Sequence, residues 1–191
     1  MNAEASLSSP RPVKLRIEDF FLLNDAGAFR DYGKTELIDG EIVAMSAQLS
    51  SHAHVKGLLF RRLADAVEQL MPGYHVWSEA TIAVPPSDAP EPDILVTSFR
   101  PNPRAATPVE TVPLSVEVTD TTAHYDLGRK LRLYASAGVP EYWVVELGVD
   151  LIHQFWSPAG DAYAEQRAVK LGKRIEAVTL PGLAIETSGL D

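Results

Sequence analysis

The sequence has no cysteine, no long apolar run and no excess of basic residues, and each absence excludes a class of protein. Without cysteine among 191 residues there is no disulfide framework and no thiolate chemistry, so a zinc site would need histidine and carboxylate ligands. No apolar segment approaches the length of a membrane span, and the opening MNAEASLSSPRPVKLRIEDF lacks the apolar centre of a signal peptide. We therefore expect a cytoplasmic protein with no membrane partner.

The charge balance is acidic. The chain has 17 Lys and Arg against 26 Asp and Glu, a net charge of −9, which disfavours a broad basic face for gripping nucleic acid but leaves room for a local basic cleft. Its 46% hydrophobic content is ordinary for a soluble domain. The Ser- and Pro-rich residues 1–12 predict a flexible tail, and residues 13–191 predict a single domain.

Three segments carry helical periodicity. RIEDFFLLNDAGAFR predicts a short helix followed by a loop, and DLGRKLRLYASAG predicts a helix that Gly138 ends. Between His52 and Leu70, apolar residues recur at three- and four-residue steps, which predicts one long helix ending at Pro72-Gly73. Ser50 and Ser51 are its candidate N-terminal caps.

The remaining segments read as strands. Asp39-Gly40 within TELIDGEIVAMS is a strong hairpin signal, and residues 100–112 predict a polar surface loop. Together with the helices this order predicts an α/β (mixed α+β) domain, a sheet flanked by helices. The further predicted strands are YHVWSEATIAV, DILVTS, LSVEVTD, EYWVVEL, LIHQFWS, AYAEQRAV and a last short one in AVTLPGLAIE.

Two acids stand in or beside apolar strands. Asp93 follows Pro92 directly before Ile94-Leu95-Val96, and Glu117 lies within LSVEVTD. A carboxylate among apolar residues is costly unless it is paired or binds a metal. Two interpretations stay open. In the first, Asp93 ends a strand and Glu117 belongs to a polar stripe, and both side chains face water. In the second, the two acids share a site.

If the two strands are neighbours, the carboxylates of Asp93 and Glu117 converge closely enough to bind Mg²⁺, which takes oxygen ligands and stabilises phosphoryl transfer. Lys130 lies on the following helix, with Asp126 four residues before it and Tyr134 four after it, so the three share a face. Lys130 then either points a cation at a scissile phosphate or forms a surface ion pair with Asp126.

Two residues upstream are further candidates. Alternation places Glu36 opposite in phase to Leu37, so it faces either the same cleft as Asp93 or water. His52 lies near the start of the long helix, where it is either a site residue or a polar residue of the first turn. The other histidines show no metal-binding spacing.

These segments together resemble the Uma-two (Uma2) family of restriction-endonuclease-like proteins, part of the PD-(D/E)XK nuclease superfamily. The similarity covers TELIDGEIVAMS, SSHAHVKGLLFRRL, EPDILV and LSVEVTDTTAHYDLGRKLRLYASAGVPEYWVVEL, roughly residues 35–147. The resemblance implies a restriction-endonuclease-like core: a central mixed sheet flanked by helices, with an N-terminal helix and hairpin. It also implies hydrolysis of DNA phosphodiester bonds with Mg²⁺ or Mn²⁺.

The resemblance assigns roles residue by residue. Pro92-Asp93 matches the "PD" motif, so Asp93 and Glu117 are the implied metal ligands. Thr119 stands where the simplest superfamily pattern has lysine, and Lys130 on the next helix is the matching position. Glu36 matches an acid that can complete the metal shell. His52 matches a histidine at the start of the long helix that has no assigned role.

Three functions follow as alternatives: a metal-dependent DNA endonuclease, a catalytically silent binding or regulatory domain on the same fold, and a hydrolase of a smaller phosphate substrate. The acidic composition favours the second over the first. The basic side chains that could approach a nucleic-acid backbone, or simply form a solvated helix face, are Lys56, Arg61, Arg62, Arg129, Lys130 and Arg132.

The segment EYWVVELGVDLIHQFW is rich in aromatic residues. By alternation not all of these side chains enter one core, so some are expected at an interface, and we expect a homodimer. The aromatic residues concerned are Tyr142, Trp143, Phe155 and Trp156.

Overall fold

A computed structural model describes residues 11–190, and the predicted tail, residues 1–12, therefore lies mostly outside the described residues. The helices are α1 (Ile17–Asp25), α2 (Ser50–Leu70), α3 (Ala123–Tyr125) and α4 (Leu131–Ser136), the last two joined by a π-helical turn (Asp126–Lys130). The strands are β1 (Thr35–Ile38), β2 (Glu41–Ala44), β3 (His75–Ser78), β4 (Ile82–Ala83), β5 (Ile94–Thr97), β6 (Thr107–Pro108), β7 (Leu114–Thr119), β8 (Glu141–Glu146), β9 (Leu151–Ala159), β10 (Ala162–Lys170), β11 (Arg174–Glu176) and β12 (Ala184–Glu186).

A six-stranded sheet forms the centre, in the order β10-β9-β8-β7-β5-β3. The β7 and β8 strands are parallel, and every other neighbouring pair is antiparallel. The predicted mixed sheet is therefore confirmed. Strands β5 and β7 are direct neighbours, with Ile94 opposite Val116, and this pairing brings the two acids of the sequence analysis side by side.

Helix α2 covers one face of the sheet because four apolar residues recur along one side of it. These residues are Val55, Leu59, Leu63 and Val67, and they pack against the apolar side chains of β5, β7 and β8. The segment after β10 closes the same core, and Leu180, Leu183 and Leu190 are all buried there. The serine caps are wrong: Leu49 is the N-cap residue of α2, and no side chain caps it.

The opposite face of the sheet is covered by α4 and by the β4–β6 pair, around Leu95, Tyr134, Tyr142 and Val144. All six residues of β7 are buried as a result. A water-facing polar stripe on β7 is thereby excluded, and Glu117 must find its partners inside the protein.

The β1–β2 hairpin packs with α1 beside this second face, in a small cluster that includes Phe20 and Leu37. Its turn is as predicted, because Asp39 and Gly40 both adopt positive φ, 51° and 70°. Gly40 also lies against the backbone of Leu15, where a Cβ atom would come within 3.0 Å of the carbonyl oxygen. The hairpin is thus held rigidly, with Glu36 pointing inward.

Tyr142 and Trp143 enter opposite cores and are both fully buried, and Phe155 is 8% exposed. Because the sheet is covered on both faces, these three aromatic residues are accommodated within one chain, whereas Trp156 on β9 is partly exposed beneath Arg167. The homodimer therefore loses most of that support. It stays a prediction: sedimentation velocity at rising protein concentration is expected to show a dimer, and a single monomer peak throughout would contradict it.

Candidate functional site

A cavity of about 460 Å³ opens where the hairpin, the start of α2, the sheet and the α3–α4 helix meet. Asp93 and Glu117, from neighbouring strands, both line it, as the motif order predicted. The lining is strongly acidic, because five carboxylates face two lysines and one histidine. The charged lining residues are Lys34, His52, Glu79, Asp93, Glu117, Asp120, Asp126 and Lys130.

Asp93 is buried and tightly held. Its Oδ2 accepts the backbone N–H of Val118 at 2.9 Å and lies 3.1 Å from His52 Nε2, and its Oδ1 accepts Gln48 Nε2 at 3.0 Å. Burial alone would raise the pKa of Asp93, but the bonds from His52 and Val118 hold it below its ordinary value. A carboxylate offers about four acceptor positions, so Asp93 is an ionised acid with capacity left for one further ligand.

Glu117 is held on one oxygen only. Its Oε1 accepts Lys130 Nζ at 2.8 Å and the Tyr134 hydroxyl at 3.2 Å, while Oε2 accepts no hydrogen bond from the described residues. Burial, followed by the nearby Asp126, Asp93 and Glu36, outweighs Lys130 and raises the pKa of Glu117 to about 8. Glu117 is therefore surrounded by more negative than positive charge, and a cation bound in the cavity would offset this excess.

Lys130 is the centre of a buried ion-pair network. It is 1% exposed in its side chain and bridges Glu117 and Glu36, with Nζ 3.1 Å from Glu36 Oε1. Burial would lower the pKa of Lys130, but these two carboxylates raise it well above its ordinary value. The surface ion pair with Asp126 is excluded, since both residues are buried and Lys130 is paired elsewhere.

Glu36 faces neither of its two predicted surroundings. It is fully buried behind Lys130, is absent from the cavity lining, and its Oε1 also lies 3.8 Å from Lys34 Nζ. Its Oε2 has no hydrogen-bond partner among the described residues. Glu36 thus acts on the cavity through Lys130, whose ammonium it holds in place.

The π-helical turn Asp126–Lys130 sets the geometry of the helical wall. It places Asp126 in the cavity lining while Lys130 and Tyr134 both reach Glu117. Burial raises the pKa of Asp126 above its ordinary value. π-Helical turns concentrate at functional sites, and this one joins the three residues that sequence spacing put on one helix face.

His52 is a site residue rather than a solvated residue of the first turn. It is buried, lines the cavity, and its Nε2 lies 2.6 Å from the Val118 carbonyl oxygen as well as 3.1 Å from Asp93. Both neighbours are acceptors, so Nε2 carries the proton. His52 therefore ties the Asp93 carboxylate to strand β7.

The structure adds residues that the sequence did not single out for the site. Gln48 bonds Asp93, and Lys56 in turn donates to Gln48 Oε1 at 2.6 Å and to Glu79 at 2.7 Å. On the other side, Lys34 bonds the carbonyl of Glu91 at 2.8 Å. These residues lie in loops or on the polar side of a helix, where periodicity gives no signal of burial.

Most of the candidate basic residues are engaged within the protein instead of forming a solvated helix face. Arg129 bonds Asp39, Glu41 and the carbonyl of Ile38, and Arg62 bonds the carbonyls of Glu186 and Ser188. With Lys56 and Lys130 also paired, only Arg61 and Arg132 of the six form no side-chain hydrogen bond within the described chain.

The residues present fit a divalent cation of the Mg²⁺ type. Over residues 11–190, no three His, Asp or Glu side chains are arranged as a ready metal cage. Mg²⁺ does not require one, because it keeps several waters and commonly uses one or two carboxylates. Asp93, with one acceptor position left, and Glu117, with a free Oε2, supply that number of hard oxygen donors in one cavity.

The central mixed sheet flanked by helices places the chain in the restriction-endonuclease-like fold class. The crystal structure of a "putative nuclease belonging to DUF820" from Anabaena variabilis matches the fold with a TM-score of 0.70 at 12% identity, covering 94% of this chain and 97% of that one. The family model of Uma2, "Putative restriction endonuclease", matches residues 17–188, so the chain belongs to the Uma2 family. The search of curated proteins found no match.

Family and fold together support a nuclease role. Within residues 11–190, none of the helices is both long and apolar enough to cross a bilayer.

Proposed function

We propose that this protein is a divalent-metal-dependent endonuclease that hydrolyses phosphodiester bonds of DNA, with Asp93 and Glu117 as the ligands of Mg²⁺ or Mn²⁺. The observation that carries the proposal is the convergence of these two carboxylates, Asp93 directly before β5 and Glu117 on the adjacent β7, in one cavity where each keeps acceptor capacity. Strands position such ligands more rigidly than loops do.

When bound, such an ion supplies Lewis acidity toward a phosphoryl oxygen and a bound water of lowered pKa. The protein's own groups then have separate tasks. His52, Gln48 and the Val118 amide fix the Asp93 carboxylate. Lys130 orients Glu117 and lines the cavity as a fixed positive charge for the phosphate.

Two residues assist from the edge of this group. Glu36 and Tyr134 hold Lys130 and Glu117 respectively, so we propose that both position the site without contacting substrate. Asp126 lines the cavity and adds negative charge beside Glu117, which favours a cation there.

The proposal is tested by calorimetric titration of Mn²⁺ into the protein, followed by a plasmid-cleavage assay on the same sample. Metal binding with cleavage supports the proposal. Metal binding without cleavage of any nucleic acid supports the silent domain, and turnover of a small phosphate ester alone supports the third alternative. Absence of metal binding would overturn the assignment of Asp93 and Glu117.

The raised pKa of Glu117 predicts an unusual pH dependence of stability in the metal-free protein. Because the folded state retains a proton up to about pH 8 and the unfolded chain releases it near 4.5, the stabilising contribution of Glu117 is lost as pH rises between these values. Urea unfolding of wild type and Glu117→Gln at pH 5 to 8 isolates this residue. The wild type is expected to lose stability relative to the variant, and parallel curves would contradict the prediction.

A further inference from the structure

The cavity offers little free positive charge for a polyanion. Its two lining lysines are both committed: Lys130 to Glu36 and Glu117, and Lys34 to the carbonyl and carboxylate of Glu91, the latter at 3.4 Å. Duplex DNA carries one charge per ~1.7 Å of its axis, and proteins that bind it neutralise many phosphates with Lys and Arg. With only two lysines, both already paired with carboxylates, the lining can neutralise one or two phosphates and not many.

The mouth of the cavity instead presents two large apolar side chains to solvent. Tyr32 is 63% exposed and Leu49 is 66% exposed, and both belong to the cavity lining. The Tyr32 side chain makes no hydrogen bond or ring contact with the described residues, so its ring and hydroxyl are available to a ligand. An exposed aromatic ring next to an exposed leucine at the mouth of a polar cavity offers a contact surface to a ligand that has an apolar face.

We propose that the substrate is DNA with unpaired nucleotides, single-stranded DNA in the simplest case, and that Tyr32 is the stacking platform for a base beside the scissile phosphate. This inference rests on the proposed nuclease function and names its substrate class. Stacking on an aromatic ring is worth about 1–3 kcal/mol per base and needs no sequence match. A base inside a duplex has both faces covered, so only an unpaired base offers one. Leu49 supplies further apolar surface at the same mouth.

Fluorescence anisotropy with a labelled single-stranded oligonucleotide and the matching duplex tests the proposal, with Ca²⁺ as an oxygen-binding cation in the buffer. Wild type is expected to prefer the single strand. Tyr32→Ala is expected to weaken single-strand binding about 5- to 150-fold, the fold-change that corresponds to one lost stack. Tyr32→Phe keeps the ring and is expected to bind like wild type.

Leu22→Ala is the matched control, because Leu22 is 70% exposed on α1 and lies outside the cavity lining. It is expected to leave binding unchanged. The salt dependence is a second readout: with at most two lysines near a phosphate, the slope of log K against log salt is expected to be no steeper than about −1.4. Equal binding of duplex and single strand, or no effect of Tyr32→Ala, would overturn the proposal, as would a steep salt slope.

Cleavage assays with Mg²⁺ or Mn²⁺ separate this inference from the function beneath it. If wild type binds single strands through Tyr32 but cuts neither substrate, the nuclease proposal fails, and Tyr32 stands as a binding platform for unpaired bases without a scissile phosphate. If wild type and Tyr32→Ala both cut duplex DNA at least as fast as single strands, the nuclease proposal stands and the inference fails. If wild type neither binds nor cuts either substrate, both fail.

Discussion

Asp93→Asn and Glu117→Gln are each expected to abolish Mn²⁺ binding in calorimetric titration and to lower DNA cleavage by at least about 10²- to 10³-fold, the scale of a lost electrostatic stabiliser of the transition state. Each variant removes one carboxylate ligand from a site that Mg²⁺ or Mn²⁺ fills with only one or two carboxylates. The amide variants are preferable to alanine, because Asp93→Ala would leave the buried Val118 N–H without its acceptor, at a cost of about 1–3 kcal/mol.

Asp65→Asn is the control, since Asp65 is exposed on α2 outside the cavity lining and its change makes the same replacement of an acid by its amide. Circular dichroism and urea unfolding establish that each variant is folded before metal is added. Retained Mn²⁺ affinity in a folded Glu117→Gln protein would show that the cation binds elsewhere. Unfolding of both amide variants would make the two acids structural residues and remove the main support for the nuclease assignment.

Lys130→Met is expected to lower the free energy of unfolding by about 3–5 kcal/mol at neutral pH, the cost of leaving buried carboxylates without their partner. Lys130 is the ion-pair partner of both Glu36 and Glu117, and its side chain is 1% exposed. Urea or thermal unfolding measures this loss directly. A loss of that size makes the cleavage rate of the single variant uninformative about catalysis.

The double variant Glu36→Gln/Lys130→Met resolves the ambiguity. Glu36 is fully buried and lies outside the cavity lining, so neutralising it is expected to recover part of the lost stability without touching the metal ligands. If the stability recovers while Mn²⁺ still binds and cleavage stays low, Lys130 acts on the phosphate. If cleavage recovers together with stability, the role of Lys130 is only to hold the site together.

Alternation and turn chemistry were enough to predict the elements of this fold that have a regular pattern. The hairpin at Asp39-Gly40, the long helix and the strands of Asp93 and Glu117 are all confirmed. The predicted loop 100–112 contains β6, two residues paired in parallel with β4, and β11 was missed. Short strands of this kind depend on distant partners, which periodicity does not reveal.

The sequence alone pointed to only some of the residues of the site. Asp93 and Glu117 stand out because a carboxylate among apolar residues is anomalous, whereas Gln48 and Lys56 are unremarkable in a polar stretch. The depth of Glu36 depends on its pairing with Lys130, 94 residues away. Local spacing suggested instead that Lys130 would pair with Asp126, and only the packed tertiary structure distinguishes the two partners.

The π-helical turn between Asp126 and Lys130 has a consequence for aligning this chain with its relatives. A π-helical turn accommodates one residue more than the same stretch of α-helix. A relative that keeps every residue but winds this stretch as a regular α-helix would turn the helix after it by about 100°, one residue of an α-helix. Its lysine would match Lys130 in an ungapped alignment yet point away from the glutamate on the strand, so the site can be lost with no gap and with every charged residue retained.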